Sequence, residues 1–431
     1  MLIRFSVENF RSFKERQSLY LSAVKTCKEW LDDNTTVDAG IRIVRSAVIY
    51  GANASGKTNL FIAMERMRAF MLASVDIDKK ANLLLGEPFF LSDDPLSVPE
   101  TFEIEFTLHG RHFVYGFSLR LNAESIEQYK VEKEWLIEVK NNRDRVLFLR
   151  ELKAAAQEQG VISVNKKNMP QGCGLESRTR PDALFLTVAA QFAEPTCHSI
   201  LDYFRFSMNI VSGVDHQGLS NFSINKLTTD SDMGERIQKF ISAADLGIKG
   251  LNIDAKGNIM SKHLRYGVDG TPIGDVQFLF AVAESQGTKK LFDLSGAIID
   301  TLRNGRILVI DELDAKLHPV LMRHIIELFN NQETNPSGAQ LIFNAQSPDL
   351  LGYKTFSAEK GKKVSRLRRD QIFFVEKDNQ EASKVMSLIE FRKSPNSRTR
   401  NDASYEKDYL AGVYGGIPFP EELVKRQNND E

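Results

Sequence analysis

The sequence predicts an α/β fold in which a mixed sheet is accompanied by an antiparallel β lobe and an inserted, mainly helical lobe. Three observations predict it. An apolar stretch, a glycine-rich loop and an amphipathic run follow one another between residues 47 and 62. Apolar and polar residues alternate around 3–8 and 102–119, which is typical of half-buried strands. A second apolar run ends in two carboxylates more than 200 residues later, so the mixed sheet is expected to draw strands from both ends of the chain.

Residues 1–150 are expected to contain the first part of the mixed sheet and the antiparallel lobe. The alternation around 3–7 predicts a first strand, and 18–21 predicts a second. Two alternating runs meet at 109–110, which predicts a β-hairpin, and 137–149 predicts another.

The remaining sequence divides into three segments. Residues 151–275 are mostly helical in pattern and carry no sustained heptad, so they are expected to form the inserted lobe. Residues 276–360 return to α/β character, and residues 361–431 are expected to form a C-terminal extension. The elements predicted in the third segment are a strand at 302–310, a helix at 317–329 and a strand at 339–344.

The glycine-rich loop carries the clearest chemical signal. Residues 51–58, GANASGKT, match the P-loop pattern G-x-x-x-x-G-K-[ST] at every fixed position, between a strand and a helix. Backbone N–H groups and the helix dipole favour phosphates there, so the chain is expected to bind ATP or GTP. Lys57 is expected to reach the β/γ-phosphates, and Thr58 to ligate Mg²⁺. The predicted nucleotide-binding residues of this loop are Gly51, Asn53, Ser55, Gly56, Lys57, Thr58 and Asn59.

A second motif supplies the carboxylates of a nucleotide site. Residues 307–312, ILVIDE, read as a buried strand followed by two acids, which is the Walker B pattern. Asp311 is expected to hold Mg²⁺ through water, and Glu312 to polarise the attacking water as general base. The alternative is the ordinary change from apolar strand to polar loop.

The composition is that of a globular protein, and its net charge gives no overall attraction to DNA or to acidic membranes. Hydrophobic residues make up 42% of the 431 and charged residues 26%, with a formal net charge of −1. Three widely spaced cysteines argue against a disulfide framework or a zinc cluster and for a reducing compartment. The charged N-terminus is not a signal peptide and no long apolar run is present, so we expect a cytoplasmic protein without a membrane span.

The segment before the Walker B strand extends the pattern. Ser285 and Gly287, in the run ESQGTKKL, could be a simple helix N-cap. Beside the two motifs above they resemble the signature motif of ABC-type ATPases, and 313–319 resembles the D-loop. The motifs and their order resemble the ABC-type ATPase head used by SMC, RecF-like and OLD-like proteins.

Four shorter stretches resemble one branch of that group, the RloA-like, abortive-infection ATPases of bacterial phage-defence operons. These stretches are NFRSF at 9–13, DELD at 311–314 with the following HP at 318–319, DQIFFVEK at 370–377 and YGGIP at 414–418. The resemblance implies a P-loop ABC-type head that uses ATP and Mg²⁺. It also implies a homodimer or higher homo-oligomer, in which Ser285 and Gly287 face the γ-phosphate of ATP held by a second subunit.

Two positions, those of Gln346 and Arg11, are compared with the same motif positions in the ATPase heads that this chain resembles. Such heads usually carry a histidine where this chain has Gln346, which can donate a hydrogen bond but cannot be protonated. Gln346 stays a catalytic candidate, and turnover is expected to be slow, with ATP serving more as a clamp than as fuel. Arg11 occupies a turn where related heads place a basic residue near the nucleotide, the alternative being a simple surface arginine.

The leading hypothesis for function is an ATP-driven dimerising sensor and switch in bacterial anti-phage defence that controls a separate effector, expected to be a nuclease. One alternative is a RecF/SMC-like DNA-repair ATPase that binds DNA itself, and another is a scaffold with structural ATP. The basic stretch from Lys354 to Arg369 is expected to contact nucleic-acid phosphates or to be an ordinary solvated loop. A nuclease within this chain is not expected, because no clustered carboxylates follow 374–377.

Overall fold

The structure is a computed structural model of the 431-residue chain. The residues it describes are 1–76, 86–121, 129–141, 143–151, 160–211, 216–244, 247–357, 362–394, 397–398 and 404–415. Lys360 of the basic stretch and residues 416–418 of the C-terminal motif lie outside these ranges.

Strands run through most of the described chain. They are β1 (Leu2–Glu8), β2 (Gln17–Tyr20), β3 (Thr35–Asp38), β4 (Ile41–Val44), β5 (Ser46–Tyr50), β6 (Glu100–Leu108), β7 (Arg111–Leu121), β8 (Tyr129–Lys140), β9 (Arg143–Glu151), β10 (Val161–Val164), β11 (Met208–Val211), β12 (Gly250–Ile253), β13 (Ile259–Tyr266), β14 (Pro272–Leu279), β15 (Ile307–Ile310), β16 (Gln340–Asn344), β17 (Lys354–Ser357), β18 (Lys362–Ser365), β19 (Ile372–Lys377), β20 (Ser383–Ser387), β21 (Arg392–Ser394) and β22 (Ser397–Arg398).

Helices lie between these strands. The α-helices are α1 (Lys57–Ala73), α2 (Phe185–Gln191), α3 (Pro195–Phe206), α4 (His216–Thr229), α5 (Ser231–Ala243), α6 (Phe280–Ala283), α7 (Gln286–Asn304), α8 (Pro319–Asn330) and α9 (Tyr405–Leu410). Short 3₁₀ turns occupy Pro170–Gly172, Glu176–Arg178, Pro348–Leu350 and Arg369–Gln371. In the described ranges, no helix is both long and apolar enough to cross a bilayer.

A six-stranded mixed sheet forms the centre of the fold, in the order β11-β15-β16-β5-β19-β20. The first five strands are parallel, and β20 runs antiparallel to β19. All residues of β5, β15 and β16 are buried, as expected for parallel strands covered on both faces. The predicted mixed α/β architecture is confirmed, since β5 from the N-terminal part pairs with β16 and β19 from the C-terminal part.

The second large sheet is antiparallel, in the order β10-β9-β8-β7-β6-β1-β2. It contains both predicted hairpins, β6–β7 and β8–β9. Its apolar face packs on the P-loop helix α1, where the ring centroids of Phe70 and Phe117 lie 5.3 Å apart. Buried side chains of α1 and of this sheet share one core, so the sheet supports the helix that carries the P-loop.

Three expectations for the second half differ from the structure. The segment 151–275 contains β10 to β13 as well as helices, and β11 is the edge strand of the mixed sheet, because a short apolar run does not distinguish strand from helix. The strand expected at 302–310 begins only at Ile307, since α7 continues to Asn304 and ends at Gly305 in the left-handed conformation (φ 63°). The C-terminal segment is not wholly separate from the core of the fold, because its strand β19 pairs directly with β5 of the mixed sheet.

Candidate functional site

The candidate site lies at the edge of the mixed sheet where three neighbouring parallel strands end. β5 leads into the P-loop, β15 into Asp311 and Glu312, and β16 into Asn344 and Gln346. Carboxyl ends of parallel strands meet at one edge, which is where ligands bind in open α/β sheets. The strand order therefore brings together motifs that are far apart in the sequence.

Two glycines of the P-loop occupy positions that exclude a side chain. A Cβ on Gly51 would lie 2.3 Å from the carbonyl oxygen of Val375 in β19. Gly56 has φ of 110°, and a Cβ there would lie 2.3 Å from the Ser383 hydroxyl. Neighbouring Ala54 also has a left-handed φ of 63°. This backbone curls tightly enough to form a phosphate cradle.

Lys57 is the first residue of α1 and is largely buried beneath the loop. Its Nζ donates hydrogen bonds to the carbonyl oxygens of Gly51 (2.7 Å) and Ala52 (2.9 Å). Burial lowers the pKa of the ammonium group, while the carboxylates of Asp311 and Glu312 oppose that shift. The cation therefore lies beside the loop and within the field of the Walker B acids, where a polyphosphate would complete its pairing.

The back of the P-loop is held by side chains that the sequence did not single out. The Ser383 hydroxyl of β20 donates to the carbonyl oxygen of Ser55 (2.6 Å), and its oxygen lies 2.8 Å from the Ser12 hydroxyl oxygen. Asn59 in turn donates to Ser12 through Nδ2 (2.8 Å). Sequence reasoning had no signal for Ser12 and Ser383, because they lie more than 370 residues apart. Asn53 lies in the same loop but makes no such side-chain hydrogen bond to any described residue.

Thr58 and Asp311 provide oxygen donors for a metal ion. The Thr58 Oγ1 donates to Asp311 Oδ1 at 3.2 Å, and Asn344 Nδ2 donates to the same carboxylate oxygen. Asn344 Oδ1 also accepts the backbone N–H of Glu312 (2.5 Å). A hydroxyl and a carboxylate at this spacing fit Mg²⁺, which prefers hard oxygens and completes its shell with water and phosphate. Asn344 is a site residue that sequence reasoning missed.

The remaining two catalytic candidates are in contact. Gln346 Nε2 donates to Glu312 Oε1 at 2.7 Å. The backbone N–H groups of Gln346 and Ser347 both donate to Asp314 Oδ2 at 2.8 Å, which fixes the loop after β16 against the loop after β15. Glu312 itself has a left-handed φ of 53°, a strained conformation of the kind found at functional sites.

The residues of the resembling signature motif lie at the start of α7. Ser285 caps this helix, its Oγ accepting the Thr288 N–H at 3.1 Å. A Cβ on Gly287 would lie 2.9 Å from the carbonyl oxygen of Lys316, so this turn packs on the loop after Walker B. Among the described residues, neither Ser285 nor Gly287 makes a hydrogen bond to the P-loop of its own chain.

Arg11 lies near the P-loop helix but is paired with an acid. Its guanidinium donates to both oxygens of Glu87 (2.8 and 2.7 Å) and makes a long contact with Asn59 Oδ1 (3.4 Å). Glu87 also accepts from Arg66 at 3.0 Å. Arg11 therefore contacts the first turn of α1 through Asn59. It also belongs to a network in which two arginines, Arg11 and Arg66, share the carboxylate of Glu87.

The arginines of the expected nucleic-acid stretch are bound within the fold. Arg366 donates twice to Glu327 (2.8 Å each), and the buried Arg368 donates to Asp370 at 2.9 and 2.6 Å. Arg369 lies 3.8 Å from Glu29. Arg368 also donates to the carbonyl oxygen of Glu29 (2.8 Å), so all three arginines are engaged within the fold. Contact between the basic stretch and nucleic-acid phosphates stays a prediction. Glu327 lies 39 residues from Arg366 and Glu29 lies 340 residues from Arg369, so these pairings could not be predicted from the local composition.

Comparison with known proteins identifies the family of this chain. No curated protein matches the sequence. The crystal structure of the SmcHead bound to the C-winged helix domain of ScpA is similar over 90% of this chain and 97% of that chain, with 14% identity and a TM-score of 0.41. A family model described as "AAA domain, putative AbiEii toxin, Type IV TA system" matches residues 46–159 and 213–352, more than half of the chain and including the P-loop, Asp311 and Glu312. The chain belongs to this AAA-domain family.

Proposed function

We propose that the chain binds ATP with Mg²⁺, hydrolyses it, and acts as a dimerising switch. One observation carries the proposal: Lys57, Thr58, Asp311 and Glu312 converge at one sheet edge, with Thr58 Oγ1 3.2 Å from Asp311 Oδ1. Membership of the AAA-domain family supports it.

Each residue has a distinct part in this proposal. Lys57 would pair with the β/γ-phosphates, and the P-loop N–H groups would hold their oxygens. Thr58 and Asp311 would hold Mg²⁺, which neutralises developing charge on the phosphates. Glu312 would accept a proton from the attacking water. Gln346 would orient the Glu312 carboxylate through the 2.7 Å hydrogen bond between them.

Dimerisation is proposed from the position of the signature turn. Ser285 bonds Thr288 at the start of α7, and Gly287 packs on the loop after Walker B. Among the described residues, neither makes a hydrogen bond to the P-loop of its own chain. A second copy, related by a two-fold axis, could bring this turn against bound ATP. ATP drives such closure only by binding the closed dimer more tightly than the open chains.

The biological setting is proposed from the family. Its description names a putative toxin of a type IV toxin–antitoxin system, which supports a role in bacterial defence. We further propose that the switch controls a separate effector, a nuclease, and that the protein is cytoplasmic. Residues 1–150 and 276–360 would then form the ATPase head, with 151–275 as an inserted lobe and 361–431 as the C-terminal region.

A scaffold that holds ATP and barely hydrolyses it is a second candidate. The hydrogen bond from Gln346 to Glu312 favours it. This bond occupies one oxygen of the proposed base, and the Gln346 amide cannot take up a proton in its place.

The test compares wild type with Glu312→Gln in ATP turnover, nucleotide binding and mass photometry with ATP and Mg²⁺. A switch predicts a fall in kcat of at least about 100-fold in the variant, with nucleotide binding retained and dimers accumulating. Turnover that is already negligible in wild type and unchanged by Glu312→Gln would instead support the scaffold. If mass is independent of ATP in both proteins, the dimerising switch is wrong.

A further inference from the structure

We propose that the far end of the antiparallel sheet binds the phosphodiester backbone of duplex nucleic acid. Three strand ends and one loop meet there, and we call this surface the basic tip. Its cations are Arg111, Lys140, Arg143, Arg145, Lys166 and Lys167.

The strand register places like charges side by side at the basic tip. Lys140 at the end of β8 is directly opposite Arg143 at the start of β9. Arg111, which begins β7, lies one step beyond the pair His112 and Val139, and so next to Lys140 on the other side. Neighbouring strands are about 4.8 Å apart, so three cations form a row across three strands. Like charges in directly opposed positions destabilise a sheet, and this arrangement therefore favours an anionic ligand.

Two acids, Glu138 and Asp144, lie at this end of the sheet. Asp144 is opposite Val139 and therefore on the other face of the sheet from Lys140 and Arg143. Glu138 accepts from Arg111 (2.8 Å) and from Arg145 (3.3 Å), so two cations share one carboxylate. Burial alone would raise the pKa of Glu138, but the hydrogen bond and charge of Arg111, together with Arg145 and Lys140, hold it below its ordinary value. Within the described residues, Lys140 and Arg143 make no ion pair. The tip concentrates positive charge on a chain whose net charge is −1.

The loop after β10 adds two more cations in a fixed position. Asn165 Nδ2 donates to the carbonyl oxygen of Val146 (3.0 Å), and its Oδ1 accepts the N–H groups of Lys167 (3.2 Å) and Asn168 (3.3 Å). These bonds hold the turn against β9 and leave the side chains of Lys166 and Lys167 exposed. Ordering the backbone before binding reduces the entropy that binding must lose.

The chemistry of the tip favours a duplex backbone over other polyanions. A duplex carries one charge per about 1.7 Å of axis, which suits a row of closely spaced cations. The tip residues named here include no aromatic side chain, so base stacking of a single strand has no platform. Contacts would go to phosphates and would carry no sequence preference. The arginines of 366–369 are engaged inside the fold, and the tip is far from them in sequence.

The experiment measures binding of a fluorescently labelled random-sequence DNA duplex by anisotropy, between about 50 and 200 mM salt. The tip variant replaces Lys140, Arg143, Lys166 and Lys167 with alanine. A matched control replaces Arg236, Lys239, Lys256 and Arg265, four exposed cations elsewhere, with alanine and loses the same charge. A smaller variant, Lys166→Ala with Lys167→Ala, serves if the fourfold variant unfolds at a lower temperature than wild type.

Wild type and the control are expected to bind with the same salt dependence. The tip variant should lose at least about tenfold in affinity, and its log–log salt slope should fall by about 0.9 for each phosphate contact removed. The proposal is overturned if wild type does not bind, or if tip variant and control lose affinity equally. It is also overturned if polyglutamate displaces the duplex as well as unlabelled duplex does at equal charge, because the surface would then take acidic polypeptides.

Discussion

At the level of single residues, Glu100 is a buried acid whose pKa is raised by its surroundings. It begins β6, is 4% exposed, and accepts the backbone N–H of Glu87 at 2.7 Å. Burial raises its pKa from 4.5 to about 8, although that hydrogen bond and the charge of Arg66 oppose the rise. Glu100 thus bonds the backbone of Glu87, and the side chain of Glu87 in turn bonds Arg11.

The shift predicts how stability depends on pH. The folded-state pKa exceeds the unfolded value, so the contribution of Glu100 is fully present below pH 4.5 and is lost as pH rises toward about 8. Glu100→Gln keeps the acceptor oxygen and does not titrate. On going from pH 5 to 8.5, the variant should gain in Tm relative to wild type, by roughly 1 °C per kcal/mol of penalty removed for a chain of this length. Thermal unfolding of both proteins measures this.

The exposed Glu333→Gln is the control and should show no such relative gain. A difference between Glu100→Gln and wild type that stays constant with pH would contradict the prediction.

Residues of the candidate site differ in how far they can be predicted from the sequence. Lys57, Thr58, Asp311 and Glu312 were identified from local patterns, because each motif keeps its chemistry within a few residues. Asn344 was not identified, although it bonds both Asp311 and the backbone of Glu312. An asparagine after a buried strand has many ordinary explanations, and only the pairing of β15 with β16 gives it this role.

Secondary-structure elements show the same division. The strand, loop and helix at the P-loop and both hairpins were predictable, since glycine spacing and strict alternation are local properties. β11 and the start of β15 were not predicted correctly. A four-residue apolar strand carries too little periodicity to identify, and Leu302 belongs to a helix whose end depends on Gly305.

The contact between β20 and the P-loop gives a prediction for one element. Ser383 Oγ contacts the Ser55 carbonyl and Ser12, whereas the buried Ser387 Oγ of the same strand has no hydrogen-bond partner in the part of the chain that the structure describes. Ser383→Ala should therefore lower stability by about 1 kcal/mol and weaken ATP binding, because the loop loses its support. Ser387→Ala should be neutral or slightly stabilising. Denaturant unfolding and titration with a fluorescent ATP analogue measure the two effects, and equal behaviour of the two variants would refute the assignment.

At the level of the whole molecule, the proposed dimer makes Ser285 the decisive position. Its Oγ caps α7, so a test must preserve the cap. Aspartate and asparagine are both good N-cap residues, but only aspartate would oppose a phosphate of the partner's ATP. In the Glu312→Gln background, Ser285→Asp should weaken ATP-dependent dimers at least about tenfold, since like charges across an interface cost several kcal/mol.

Ser285→Asn is the matched control and should dimerise like the Glu312→Gln parent in mass photometry. Nucleotide binding to single chains should be equal in all three proteins. Dimers that persist unchanged in Ser285→Asp would show that this turn does not face ATP.

The sequence by itself determined the mixed α/β class, the P-loop, the Walker B acids and the hairpins, because these depend on residues close together in the chain. The tertiary structure decided which distant residues support them. It placed Ser383 behind the P-loop and Asn344 beside the acids, enclosed Arg366 and Arg368, and aligned Lys140 with Arg143. Strand order, register and burial arise from contacts between segments hundreds of residues apart, and no local pattern encodes them.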